Sequence, residues 1–284
     1  MKYLKKILMT LLYPITFFIG SFLIQYIFIL IFNQNEIKIL KNKFPDLSNS
    51  QINEKLNSII TTSSYKNRMN EYLNSKILLI VIITLLIFLP ILYRGYKKYR
   101  SIKTSSLSIK DYIFIILLGM SVCLIFNITF NELNNVIHFT NNYQISSNTI
   151  YLQIISSGIA GPILEELIFR GLVYNKLKEF NSPMKSIIIA SIIFSLFHVP
   201  NILNMIYAFM MSFLFIYIYE KYHKLRYSIL LHMVANTTII LFIYIITKQI
   251  FLINLLIWLI ALITLIIIYI KIIKKDVYKY KNYS

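Results

Sequence analysis

An all-α, polytopic membrane helix bundle of about eight transmembrane helices, with both termini cytoplasmic, is the fold class that three features of the sequence predict. Of 284 residues, 57% are hydrophobic and only 14% are charged, which places the chain in the integral membrane class. The apolar residues gather in runs long enough to cross a bilayer at ~20 residues per crossing. The segments between those runs are alternately rich and poor in lysine and arginine, which is the pattern of a multi-pass protein threaded with its basic loops inside.

The runs lie at residues 7–32, 77–93, 112–130, 150–174, 183–199, 202–219, 227–247 and 250–270. Lys2, Lys5 and Lys6 precede the first, which is longer than a signal-peptide core and has no small-residue cleavage site after it, so it reads as an uncleaved signal anchor. The fifth run is short and stops at Pro200, and only Lys248 and Gln249 separate the seventh from the eighth. With the N-terminus in the cytoplasm, the inside segments carry Arg94 to Lys110, then Lys176, Lys178 and Lys185, then Lys221, Lys224 and Arg226, and last Lys271 to Lys281. The formal net charge of +18 is thereby a topology signal and not a nucleic-acid footprint. The usage of Ile, Lys and Asn is that of an AT-rich bacterial genome, so the expected location is a bacterial plasma membrane. Cys123 is the sole cysteine and forms no intramolecular disulfide.

Residues 1–110 form an N-terminal two-helix membrane region with a long extracytoplasmic loop at 33–76, and residues 111–284 form the core. Within the loop, Ser48 and Gln51 have capping-box spacing, and Ile52, Leu56, Ile59 and Ile60 follow at helical spacing. A short amphipathic helix on the outer membrane surface is expected there. A second polar outer loop runs from Asn131 to Thr149, with His138 exposed in it.

Charges at bilayer depth are rare and costly, so the run Glu165-Glu166-Leu167-Ile168-Phe169-Arg170 in the fourth span marks a functional site. Arg170 is four residues after Glu166, on nearly the same helix face, whereas Glu165 points well over a quarter turn away. Glu166 and Arg170 are therefore expected to neutralise one another, leaving Glu165 for chemistry. Ser157, Gly158, Ala160 and Gly161 form a small-residue patch before the pair that lets a neighbouring helix approach, and Pro162 can re-aim the helix.

Two further spans carry polar residues that an inert bundle would not hold. The fifth has Phe194 and His198 and the seventh has His232 and Asn236, each pair four apart and on one face. At ~1.5 Å per residue, Glu165 lies roughly 15 Å from the cytoplasmic end of its helix, His198 roughly 20 Å, His232 roughly 8 Å and Asn236 roughly 14 Å. A shared pocket in the cytoplasmic half to the middle of the bilayer is geometrically allowed.

Taken together, Glu-Glu-x-x-x-Arg at 165–170, Phe-x-x-x-His at 194–198 and His-x-x-x-Asn at 232–236 resemble, in order and spacing, the motifs of the CAAX prenyl protease and bacteriocin-processing family of intramembrane endopeptidases. The resemblance covers Ser157 to Asn236 and makes 111–284 the protease-like core. It implies a cavity among the motif-bearing helices, with Glu165 as general base, His198 beside the water, and His232 with Asn236 facing the oxyanion. Glu166, Arg170 and Phe194 support that catalytic set. The implied partner is a peptide or membrane-protein substrate in the lipid bilayer, with no nucleic acid.

The residue types suit hydrolysis, which needs a base to activate water and donors for the tetrahedral oxyanion. No cofactor is required by that route. Glu165, His198 and His232 would be the ligands if zinc were bound instead, although the sequence has no His-Glu-x-x-His helix. Two rival classes remain open. A non-catalytic membrane protein of the same ancestry, acting in bacteriocin self-immunity or in regulation, would carry the same motifs. A proton-coupled transporter would also place Glu and His in the membrane, but the sequence lacks inverted repeats and paired broken helices.

Overall fold

Lipid offers the backbone no hydrogen-bond partner, so apolar runs of this length close their amide bonds internally as helices. The computed structural model describes residues 2–100, 108–137, 150–199, 201–245 and 251–270. Among the described residues the regular elements are all helices. They are α1 (Lys2–Lys43), α2 (Asn49–Ile60), α3 (Ser63–Tyr96), α4 (Ile109–Ile137), α5 (Ile150–Lys178), α6 (Pro183–Leu196), α7 (Ile202–Tyr222), α8 (Leu225–Ile245) and α9 (Phe251–Ile268). Six of them, α1, α3, α4, α5, α7 and α8, are long and apolar enough to cross a membrane, while α6 and α9 are shorter apolar helices. The chain is a multi-pass integral membrane protein. His138, Pro200, Lys248, Gln249 and the basic tail from Lys271 lie outside the described residues.

The chain divides into two compact units, residues 14–90 and residues 1–13 with 91–284. In the smaller unit the expected loop at 33–76 is mostly helical. Its first half has no glycine or proline before Pro45, so α1 continues for 42 residues and stops at Lys43, ahead of the residue that proline restricts. α3 begins at Ser63 and not near residue 77. Between them, α2 has the expected capping box. The Ser48 hydroxyl accepts from the Gln51 amide, and the Gln51 side chain accepts from the Ser48 N–H at 2.9 Å. Ile52 and Leu56 from α2 pack with Phe32, Leu40 and Tyr65 into a small core. An ion pair between Arg68 and Glu36, at 2.7 Å, ties α3 to α1 beside that core.

α8 lies at the centre of the larger unit, packed against α4, α5 and α7, with α9 on α4 and α6 on α7. Small residues set the spacing. A Cβ on Gly119 would stand 3.2 Å from the Leu231 carbonyl oxygen, and one on Gly158 would stand 2.9 Å from Thr237 Oγ1. Glycine at those positions lets α4 and α5 approach α8 closely without displacing these atoms. The α7–α8 reversal is made at His223, whose φ of 51° is a left-handed helix cap on a residue other than glycine.

Helix regularity is broken in one place that matters. α5 is π-helical over Ile154–Ala160, α-helical over Gly161–Glu166 and π-helical again over Leu167–Tyr174. Such wide turns within α-helices are frequent at functional sites. The acid pair sits at the end of the α-helical piece between them.

Candidate active site

Glu166 is fully buried and is the hub of the cluster. Its Oε1 lies 2.9 Å from Arg170 Nη1 and 2.9 Å from His232 Nδ1, and its Oε2 accepts a hydrogen bond from the Ser228 hydroxyl. A carboxylate taken out of water is tolerable only with such partners. The contact to Arg170 is an ion pair without hydrogen-bond alignment, and among the described residues the three guanidinium nitrogens have no hydrogen-bond partner. Aromatic faces enclose the cation instead, with its central carbon 4.4 Å from the Phe194 ring centre and 4.8 Å from that of Phe215.

The proton placement on His232 follows from that partner. A carboxylate can only accept, so Nδ1 carries a proton and donates it to Glu166. Nε2 then faces Glu165, whose Oε2 is 3.8 Å away. The two adjacent acids thus engage opposite nitrogens of one imidazole. Phe215 stacks on that imidazole, with ring centres 4.3 Å apart and planes 20° apart. Glu165 differs from its neighbour in surroundings, since its side chain keeps 26% of its surface exposed. It is the accessible carboxylate of the pair.

His198 stands in the turn after α6, because the fifth span stops being helical at Leu196. Its Nδ1 donates to the Phe194 carbonyl at 2.9 Å, which leaves Nε2 as the free nitrogen. Its ring packs on Phe194, centre to centre at 4.7 Å, and Phe194 is also 6.1 Å from His232. Phe194 is thus a buried wall shared by both histidines and Arg170. Among the described residues no hydrogen bond joins His198 to Glu165.

Asn236 donates from Nδ2 to the Ser157 carbonyl at 3.0 Å. The local chain explains why that carbonyl is open. In the wide turn the Gly161 N–H bonds to Ser156 O, and the next residue, Pro162, has no N–H to give Ser157. Asn236 supplies the missing donor from α8 and keeps one further amide hydrogen.

The structure therefore brings together Glu165, Glu166, Arg170, Phe194 and His232, with His198 joined through Phe194. Asn236 is held one helical turn further along α8. Sequence reasoning missed Ser228 and Phe215. Ser228 was findable, because it precedes His232 by the same four residues that separate His232 from Asn236. Phe215 had no signal in a helix already rich in Phe and Tyr.

No three His, Cys, Asp or Glu side chains among the described residues converge closely enough to hold an ion, the set Glu165, His198 and His232 included.

Residues 147–238 match the sequence family described as type II CAAX prenyl endopeptidase, Rce1-like. A curated relative from Bacillus subtilis (strain 168), named "Putative membrane peptidase YdiL", is 32% identical over 90 residues. That stretch covers 32% of this chain and 36% of the relative, so the chain spans about a third of the length of the protein it matches. No solved structure matches the chain.

Proposed function

We propose, from the match of residues 147–238 to the Rce1-like CAAX prenyl endopeptidase family, that this protein is an intramembrane endopeptidase of the glutamate type. The observation that carries the reading is the single imidazole of His232 set between two acids of different exposure, Glu166 on Nδ1 and Glu165 toward Nε2. One acid is fully paired and orients the ring, which leaves the other for the reaction.

In this reading Glu165 takes a proton from a water that attacks the scissile carbonyl, with His198 Nε2 accepting the water's second hydrogen bond. The carbonyl oxygen becomes the oxyanion of a tetrahedral intermediate. His232 meets it as an imidazolium, with Nε2–H toward the oxyanion and Nδ1–H held by Glu166, as a carboxylate stabilises the charged histidine of a catalytic triad. Asn236 adds its remaining amide hydrogen, a donor whose loss typically costs about 100-fold or more in turnover. Collapse breaks the C–N bond, and Glu165 returns its proton to the leaving amine. The substrate class is a peptide or membrane protein reached within the bilayer.

The test compares the membrane proteomes of cells carrying the wild-type chain and Glu165→Gln. The expected result is a fragment with a new terminus near a membrane boundary that is present with the wild type and lost in the variant, while both proteins insert to equal levels. Identical fragment sets would overturn the reading. A Glu165→Gln strain with its full cellular phenotype would point to a non-catalytic immunity or regulatory protein.

A further inference from the structure

We infer that Ser228 is a positioning residue of this site, one that fixes which nitrogen of His232 faces the reaction by holding Glu166 in a single orientation. The inference rests on the proposed hydrolytic reading for its consequence, but not for its geometry. Ser228 lies four residues before His232 on α8, so both project from one helix face onto α5. Both are buried, Ser228 completely, so neither can exchange its partner for water.

Competition for Glu166 makes the serine necessary. Oε1 is shared by Arg170 Nη1 and His232 Nδ1, each at 2.9 Å, while Oε2 is held by Ser228. Arg170 has three nitrogens without an aligned hydrogen bond, so a carboxylate free to turn would gain by presenting both oxygens to the guanidinium fork. That rotation would take Oε1 away from His232. With Nδ1 no longer held, the ring is free to turn, and Nε2 is no longer fixed opposite Glu165. The Ser228 hydroxyl is the contact that opposes this turn. Phe215, stacked on the ring face, blocks tilting but does not select a nitrogen.

The experiment reads the imidazole directly and needs no substrate. The full chain has only four histidines, so 15N-histidine labelling in nanodiscs gives few signals, and His232→Gln assigns the one required. The wild type is expected to show a protonated Nδ1 on His232 in slow exchange with solvent. Ser228→Ala should speed that exchange about tenfold or more, the scale of losing a hydrogen bond to a charged group, and Ser228→Thr should restore it. An exchange rate in Ser228→Ala within twofold of the wild type, or no recovery with Thr, would overturn the inference. If Ser228→Ala does not fold, Ser228→Cys keeps the volume with a weaker donor and should give intermediate exchange; a wild-type rate there would also overturn it.

Activity supplies the second arm. On a substrate found by the Glu165→Gln comparison, Ser228→Ala should lower kcat about tenfold with KM within twofold. A purely structural serine would reduce the amount of folded protein and leave kcat per folded molecule unchanged. Because histidine exchange is measured without turnover, the protease reading can fail while the role of Ser228 stands, and the reverse.

Discussion

Glu166 shows how a single buried charge is made tolerable and useful at once. Four-residue spacing revealed its pairing with Arg170, since that distance on any helix brings two side chains to one face. Spacing within one helix says nothing about what a second helix presents, so the service of Glu166 to His232 and Ser228 was not legible. The pair is expected to be costly to break. Arg170→Met leaves a buried carboxylate short of its main counter-charge and should destabilise the protein by about 3–5 kcal/mol, whereas Glu166→Gln with Arg170→Met together should recover part of that loss. Denaturant unfolding in detergent checks both, and a double variant as unstable as the sum of the singles would contradict the pairing.

α5 is the element on which the site depends. Its wide turns were not readable, although two of their causes and remedies stand in the sequence. Pro162 removes a backbone donor, and Asn236 replaces it from α8. At the far end, the Asn175 side-chain amide donates to the Arg170 carbonyl at 2.9 Å and to that of Gly171 at 3.1 Å. The small-residue patch before the acids was legible as a place of close approach, and Gly158 is where α8 makes that approach. Gly158→Ala would put a Cβ 2.9 Å from Thr237 Oγ1, so that the Thr237 side chain or the helix carrying it must shift. A loss of about 1–3 kcal/mol is expected, the range for overpacking, measured as a lowered midpoint in detergent unfolding. A midpoint equal to that of the wild type would mean that the interface gives way freely.

At the scale of the whole molecule, Glu179 joins segments distant in sequence just beyond the end of α5. Its carboxylate receives Lys176 at 2.6 Å, Tyr99 at 2.7 Å and Lys98 at 3.0 Å. The hydrogen bond from Lys176 is the largest cause, followed by those from Tyr99 and Lys98, that lowers its pKa from 4.5 to about 2. A folded-state pKa depressed in this way means that the unfolded chain binds the proton more readily. The contribution is therefore complete above the unfolded pKa near 4.5 and is lost as pH falls toward 2. Wild-type melting temperature should fall over that window, and Glu179→Gln should flatten this part of the profile. An identical acid profile in the two proteins would remove Glu179 from the account.

From the sequence alone follow the helical membrane class, the places of the apolar runs and the acid that pairs with Arg170. These are properties of hydrophobic length, of helical repeat and of local spacing, and all are fixed by residues near one another in the chain. The tertiary structure alone decided that α1 and α3 continue through the expected loop, that His198 stands in a turn after α6, and that Ser228 and Phe215 join the histidine. Such contacts depend on how closely helices approach and how each is rotated, and those are set by glycines, prolines and open carbonyls acting between helices.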